Sequence, residues 1–175
     1  MQKLPDVIET ARLRILPFCE EFLTERYVGW LNDPETVAFS EQRHRSHTLA
    51  TCRAYMHSFD GSPHYFRAVV RKEDGLHIGN INAYVDVPNR TVDVGILIGE
   101  RVVWGNGFGL EAWSEFCNTL LAGGVRKITA GTMGCNTGMI RIFKKYGMQL
   151  EGVREKQFLC GGKDADLVMY AKFGR

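Results

Sequence analysis

The chain has 175 residues, of which 45% are apolar and 24% charged, and a formal net charge of +2. These values fit one folded domain over residues 1–175 and exclude a disordered chain, a collagen-like fibre and a disulfide miniprotein. No apolar run nears the roughly 18 residues that cross a bilayer, Met1–Asp6 lacks a signal-peptide core, and the near-neutral charge does not call for nucleic acid, so a cytoplasmic protein is expected.

Arg12–Leu16 alternates charged and apolar residues, which is a strand signature, and Pro17 ends it. Helical stretches follow at about Glu20–Leu31 and Thr48–Phe59. Between them lie the turn-forming Asn32-Asp33-Pro34-Glu35 and the polar run Ser40–His47. Tyr65–Arg71, His77–Val85 and Thr91–Gly99 read as an antiparallel meander, turning through Glu73-Asp74-Gly75 and Pro88-Asn89-Arg90. Apolar residues from Phe108 to Leu121 recur at helical spacing, and Gly123-Gly124 stops that helix. Arg126–Thr132 is a short strand, and Met139, Ile142, Phe143 and Tyr146 mark one face of a second helix ending at Gly147. Met148–Lys156 and Asp166–Phe173 are strands joined across Cys160-Gly161-Gly162-Lys163. The order β-α-α-β-β-β-α-β-α-β-β specifies an α+β layer fold around a mixed sheet.

Cys19, Cys52, Cys117, Cys135 and Cys160 include no Cys-x-x-Cys pair, so neither a zinc knuckle nor a disulfide framework is indicated. His44 and His47 have no accompanying third ligand, and no metal is expected.

The most informative segment is Trp104-Gly105-Asn106-Gly107-Phe108-Gly109-Leu110-Glu111-Ala112, placed between a strand and an amphipathic helix. Its glycines let the backbone turn tightly and present N–H groups to an anion. The unpaired N–H groups and positive dipole end of the helix that follows favour a phosphate there. A P-loop is excluded, because Gly-x-x-x-x-Gly-Lys-Ser/Thr is absent. A dinucleotide site would want a ribose-binding acid about 20 residues on. Yet no Asp or Glu occurs from Phe116 to Leu150, while Arg126, Lys127, Arg141, Lys144 and Lys145 do. A more heavily phosphorylated ligand fits that charge better.

The glycine segment resembles the acyl-CoA pyrophosphate loop of the GCN5-related N-acetyltransferase (GNAT) superfamily. Asn136 with Phe143-Lys144-Lys145-Tyr146-Gly147-Met148 resembles that family's second cofactor segment, and Trp30-Leu31-Asn32-Asp33-Pro34-Glu35 resembles a helix-loop of its RimJ/RimL-type branch. The resemblance runs from Glu9-Thr10-Ala11-Arg12-Leu13 to the last strand. It implies a mostly antiparallel, seven-stranded mixed sheet flanked by helices. Its fourth and fifth strands, Thr91–Gly99 and Arg126–Thr132, would run parallel and splay into a wedge for the cofactor. It further implies acetyl-CoA as co-substrate, a primary amine as acceptor, and a homodimer as the candidate assembly. Cofactor contacts would come from the backbone of Ile96, Leu97 and Ile98, from Val103, Trp104, Gly105, Asn106, Gly107, Phe108 and Gly109, and from Asn136 and Phe143.

Alternation puts Asp93, Gly95 and Leu97 on one strand face, which makes Asp93 the candidate base, directly or through a water. Glu41, in a loop that should border the acceptor, is the second candidate, with binding of the ammonium as its role. Many relatives carry a tyrosine as general acid where Phe143 stands, and Tyr146, a helical turn further on, is the remaining candidate acid. Cys135 has no nearby His or Asp to activate it, so direct transfer is preferred to an acyl-cysteine. For the acceptor, a protein N-terminus is the branch default. An amino-sugar nucleotide is the runner-up, suggested by Arg43, Arg45 and Arg53. The missing tyrosine keeps open a third reading, a CoA-binding module without catalysis.

Overall fold

The computed structural model describes residues Met1–Gly174. Its eight strands lie in one sheet of order β1-β2-β3-β4-β5-β6-β8-β7. In chain order they are β1 (Ile8–Glu9), β2 (Leu13–Pro17), β3 (Tyr65–Arg71), β4 (His77–Asp86), β5 (Thr91–Ile98), β6 (Lys127–Met133), β7 (Gln149–Cys160) and β8 (Lys163–Phe173). Four α-helices accompany them: α1 (Glu25–Asn32), α2 (Leu49–His57), α3 (Phe108–Ala122) and α4 (Thr137–Tyr146). Every neighbouring pair is antiparallel except β5 and β6.

Alternation along the strands sorts their side chains into two cores. On one face Leu13, Ile15, Val92, Val94 and Ile128 meet Trp113 and Phe116 of α3 and Phe143 of α4. On the other, Phe18, Phe22, Tyr27, Trp30, Leu31 and Met56 pack over Ala68, Val70 and Leu97. His77 lies within this second core, 4.9 Å from the Trp30 ring and 5.1 Å from Phe22. Burial lowers its pKa, and the neutral ring donates from Nε2 to the Gly79 carbonyl (3.0 Å) and to Asn80 Oδ1 (2.9 Å). Among the described residues no helix is long and apolar enough to cross a membrane.

Several boundaries differ from the sequence reading. The sheet has eight strands rather than seven, because the two-residue β1 is too short to show any periodicity. The stretch Glu20–Leu31 is broken: Glu20–Phe22 forms a 3-10 turn, and α1 starts after Thr24, whose side chain accepts from the Tyr27 N–H. Thr48 and Thr51 form a reciprocal capping box that opens α2. The last hairpin is longer than expected, since β7 and β8 run on to a two-residue Gly161-Gly162 turn. Much of β7 is exposed, so apolar alternation could not reveal its length.

The start of the chain is fastened to α3 through Glu111. Its Oε1 accepts from Thr10 Oγ1 (2.5 Å) and the Arg12 N–H (2.8 Å), while Oε2 accepts from Arg12 Nε (2.7 Å). Burial alone would raise this carboxyl, but the Thr10 and Arg12 hydrogen bonds outweigh it and hold the pKa below the usual value of 4.5. A depressed carboxylate stabilises the fold above its unfolded pKa and loses that contribution as pH falls through the folded value. Glu111→Gln should therefore cost about 2 kcal/mol at pH 7. Urea unfolding at pH 7 and at pH 3 checks it, and the gap between variant and parent should close at the lower pH.

Candidate active site

The strands β5 and β6 pair at only three positions, Thr91 with Lys127, Val92 with Ile128 and Asp93 with Thr129. Beyond Asp93 they separate, while β5 keeps its full ladder with β4 as far as Ile98. Gly99 N–H donates to Ile78 O at the end of that ladder. Counting back by twos, the backbone groups of Leu97, Gly95 and Asp93 face β4, and those of Val94, Ile96 and Ile98 face the gap. Ile98 O confirms the direction, because it accepts from the Trp104 indole N–H (2.8 Å) across the mouth of the wedge. Leu97 is thereby corrected: its backbone is directed at Asn80, and its side chain packs in the second core. The groups free to pair with an extended ligand belong to Ile96 and to the Ile98 N–H.

Val103 is buried under the glycine loop and anchors it, whereas Trp104 is half exposed. Gly105 and Gly107 both have positive φ (78° and 83°), a conformation that β-carbons disfavour. Gly107 is the N-cap of α3 and offers no side-chain cap to the first turn. An Asp or Ser there would occupy those N–H groups itself. Among the described residues, the N–H groups of Gly105, Gly107, Phe108, Gly109 and Leu110 have no acceptor within the chain. Asn106 faces its carbonyl the other way, accepting from Arg12 Nη1 (3.0 Å), and the Arg12 guanidinium lies 4.2 Å over the Phe108 ring. This is a preformed anion cradle beside the wedge, and it fits a pyrophosphate.

Asn136 caps α4: its Oδ1 accepts from the Met139 N–H (3.1 Å) and its Nδ2 donates to Thr132 Oγ1 (3.0 Å). It therefore sets where α4 starts at the open side of the wedge. Phe143 is a second correction, since its ring is buried between Trp113 (5.4 Å) and Tyr170 (5.0 Å) and cannot reach a ligand. Tyr146 is also buried; its hydroxyl donates to Asn118 Oδ1 (2.9 Å), and burial pushes its phenol up. Its ring belongs to the α3/α4 core, across the sheet from Asp93.

On the α1/α2 face, a cleft of about 550 Å³ opens against β4 and β5 at Gly95–Leu97. Its floor carries Asn80 opposite Leu97, Asn82 opposite Gly95 and, at the rim, Tyr84 opposite Asp93. Asn82 Oδ1 lies directly over Gly95, at 2.7 Å from where a β-carbon would stand, so a larger residue there would displace the Asn82 amide. A β-carbon at Gly99 would likewise collide with the Trp30 indole. The walls come from Tyr27, Tyr55 and Phe66, with Arg45 and His47 from the segment before α2. Tyr55 and Tyr84 share a hydrogen bond between their hydroxyls (2.9 Å). Asn32 fixes His47 by accepting from its N–H (2.8 Å) and donating to its carbonyl (2.9 Å).

The three candidate catalytic side chains are not brought together. Asp93 stands at the point where β5 and β6 part, its Oδ2 accepting from Thr129 Oγ1 (2.8 Å). Crowding by surrounding protein raises its carboxyl pKa, an effect that the Thr129 hydrogen bond partly offsets. Glu41 is paired with Arg43 (2.9 Å) and does not line the cleft. Arg43 also donates to the Ser40 (3.0 Å) and Leu159 (3.2 Å) carbonyls, tying this loop to the β7–β8 hairpin. Sequence reasoning missed Asn80, Asn82 and Tyr84, although a signal was present: they alternate with the apolar Ile81, Ala83 and Val85.

The description "Acetyltransferase (GNAT) domain" matches residues 12–149. No curated protein matches the chain in sequence. Among solved structures, a GNAT-family acetyltransferase from Bacillus anthracis superposes with a TM-score of 0.82 at 20% identity, covering 96% of this chain and 98% of its own. RimL, a ribosomal L7/L12 α-N-protein acetyltransferase in complex with coenzyme A, gives 0.82 at 11% identity, covering 95% and 97%. The microcin C7 self-immunity acetyltransferase MccE, in complex with acetyl-CoA and AMP, gives 0.80 at 15% identity, covering 94% and 93%. With the family match over most of its length and the wedge and cradle in place, this chain belongs to the GNAT acetyltransferases.

Proposed function

We propose that the protein is an acetyl-CoA-dependent N-acetyltransferase of the RimJ/RimL type, which moves an acetyl group directly onto a primary amine. The observation that carries the reading is the continuity of three features: the uncapped α3 N-terminus, the parted β5/β6 strands and the cleft floored by Asn82 and Gly95. A pyrophosphate on the cradle would let an extended arm pair with Ile96 and Ile98 and end beside Gly95. The thioester supplies an already activated acyl group, so the protein's main task is orientation.

Asn82 Oδ1, above Gly95, accepts a hydrogen bond from the incoming amine and aims its lone pair across β5. Asp93, one turn of the pleat away, takes the ammonium proton through a water; its raised pKa moves it toward the pH range where a base works best. The N–H groups of Ile96 and Ile98 face the gap and stabilise negative charge on the carbonyl oxygen. Bulk water protonates the departing thiolate, because Phe143 has no proton and Tyr146 is committed to Asn118. Direct transfer is preferred to an acyl-cysteine, because the Cys135 thiol, its pKa raised by partial desolvation and by the Cys160 thiol beside it, has no His or Asp near it in the chain to activate it. The cleft gives catalysis a place to occur, and this favours an enzyme over a silent CoA-binding module.

Two experiments test the reading. Gly107→Val forces a branched side chain into a left-handed position and covers the first-turn N–H groups. Calorimetric titration with acetyl-CoA should show at least a tenfold loss of affinity, about 1.4 kcal/mol, in a variant that remains folded. Asp93→Asn should keep acetyl-CoA affinity while lowering turnover by about 10²–10⁴-fold near neutral pH, a loss that shrinks in alkali as the free amine forms unaided. Uniform loss of turnover at all pH values would make Asp93 a support for the strand rather than the base.

A further inference from the structure

Resting on the acyl-transfer reading, the charge pattern of the cleft bears on which amine it accepts. A polycationic amine bound in such a site needs carboxylates to replace the water around each ammonium. Among the described residues that line the cleft, none is Asp or Glu. Of the acids around it, Glu41 is paired with Arg43 and Glu20 with Arg53 through two hydrogen bonds (2.9 and 3.0 Å), which leaves Asp93, held by Thr129 at the rim, for the reacting ammonium alone.

Of the three arginines in this region, only Arg45 both lines the cleft and lacks a carboxylate partner among the described residues. It follows the 3-10 turn Glu41–His44, where its backbone N–H donates to Gln42 O, and its side chain is exposed. Burial keeps His47 neutral, so it adds no second charge. The remaining polar groups are uncharged amides and hydroxyls, chiefly Asn80, Asn82, Gln42 and Ser46, and the apolar surface combines four aromatic rings, of Tyr27, Tyr55, Phe66 and Tyr84, with the aliphatic Leu31, Ile96 and Leu97. A cleft of about 550 Å³ has the size of a small-molecule site rather than a protein-docking face.

We propose that the acceptor is a small aromatic monoamine carrying one anionic group, a carboxylate or a phosphate, which pairs with Arg45, and that polycations are poor acceptors. In the transfer, the amine nitrogen bonds the acetyl carbon, the carbon–sulfur bond breaks with its electron pair going to sulfur, and the proton lost by nitrogen balances that thiolate. The guanidinium takes no part in these bonds. It selects the substrate by a charge-assisted hydrogen bond to the anionic group.

The test is thiol release from acetyl-CoA with tyramine, tyramine O-phosphate, phenylalanine, spermidine and a peptide beginning with phenylalanine. The phosphate ester or the amino acid, whichever source of the anion fits, should exceed tyramine about tenfold in kcat/KM, mostly through KM, and spermidine should rank last. Arg45→Gln should erase that advantage, Arg45→Lys should restore part of it, and thermal stabilisation by acetyl-CoA reports that each variant is folded. Spermidine or the peptide ranking first, or an anionic advantage untouched in Arg45→Gln, overturns the proposal while leaving acyl transfer intact. Absence of thiol release with every amine, despite acetyl-CoA binding, overturns the acyl-transfer reading and this proposal with it.

Discussion

The site depends on one break in backbone pairing, the parting of β5 and β6 after Asp93 and Thr129. Unpaired N–H and C=O groups inside a sheet are costly, so a structure keeps them only where something else can satisfy them. Trp104 satisfies one, by capping the Ile98 carbonyl with its indole. The others are left to solvent or to a ligand with backbone-like groups, and an extended amide-bearing arm is such a ligand. The neighbouring antiparallel ladder from Gly79 to Asp86 remains unbroken and holds β5 rigid against the opening. Binding therefore need not bend the strand that carries Asp93 and Gly95.

The two faces of β5 serve different ends. Toward α3 and α4, Val92 and Val94 are buried in the main core and carry stability. Toward α1 and α2, Asp93, Gly95 and Leu97 meet Tyr84, Asn82 and Asn80, a row where small size and neutral polarity replace packing. His77 fixes the last member of that row, since its Nε2 holds Asn80 Oδ1 where Asn80 lines the cleft. The aromatic cage around His77 thus reaches the cleft: it restrains one of the amides that line it.

The fold class, the meander and both long helices were readable because each shows its own period of hydrophobicity, 2 for strands and 3.6 for helices. The cradle was readable because alternate glycines before a helix have few other uses. What escaped notice was set by tertiary contacts. Nothing local distinguishes a Phe143 that faces a ligand from one wedged between Trp113 and Tyr170. Tyr146 looked available because helical spacing gives a face but not what covers it, and Asn118 covers it. Leu97 was misassigned for a different reason: side-chain alternation was considered, but the alternation of backbone groups across a ladder was not. The break after Phe22 and the extra β1 fall below the length at which periodicity can be counted.

Glu111 poses an electrostatic difficulty that the structure resolves. A carboxylate in the first turn of α3 favours the helix dipole but should repel a pyrophosphate bound at the same end. Its position shows how both demands are met. Each of its oxygens accepts hydrogen bonds from the Thr10–Arg12 segment, and the Arg12 guanidinium lies against it within 2.6 Å. The pair is close to neutral seen from the cradle, while Arg12 also reaches the Asn106 carbonyl and covers Phe108. One arginine thereby cancels the carboxylate, turns the only nearby loop carbonyl that it contacts away from an anion, and locks the first strands onto the helix. The residues before the sheet are distant in sequence from the glycine loop, yet they determine whether its N–H groups present a net positive field.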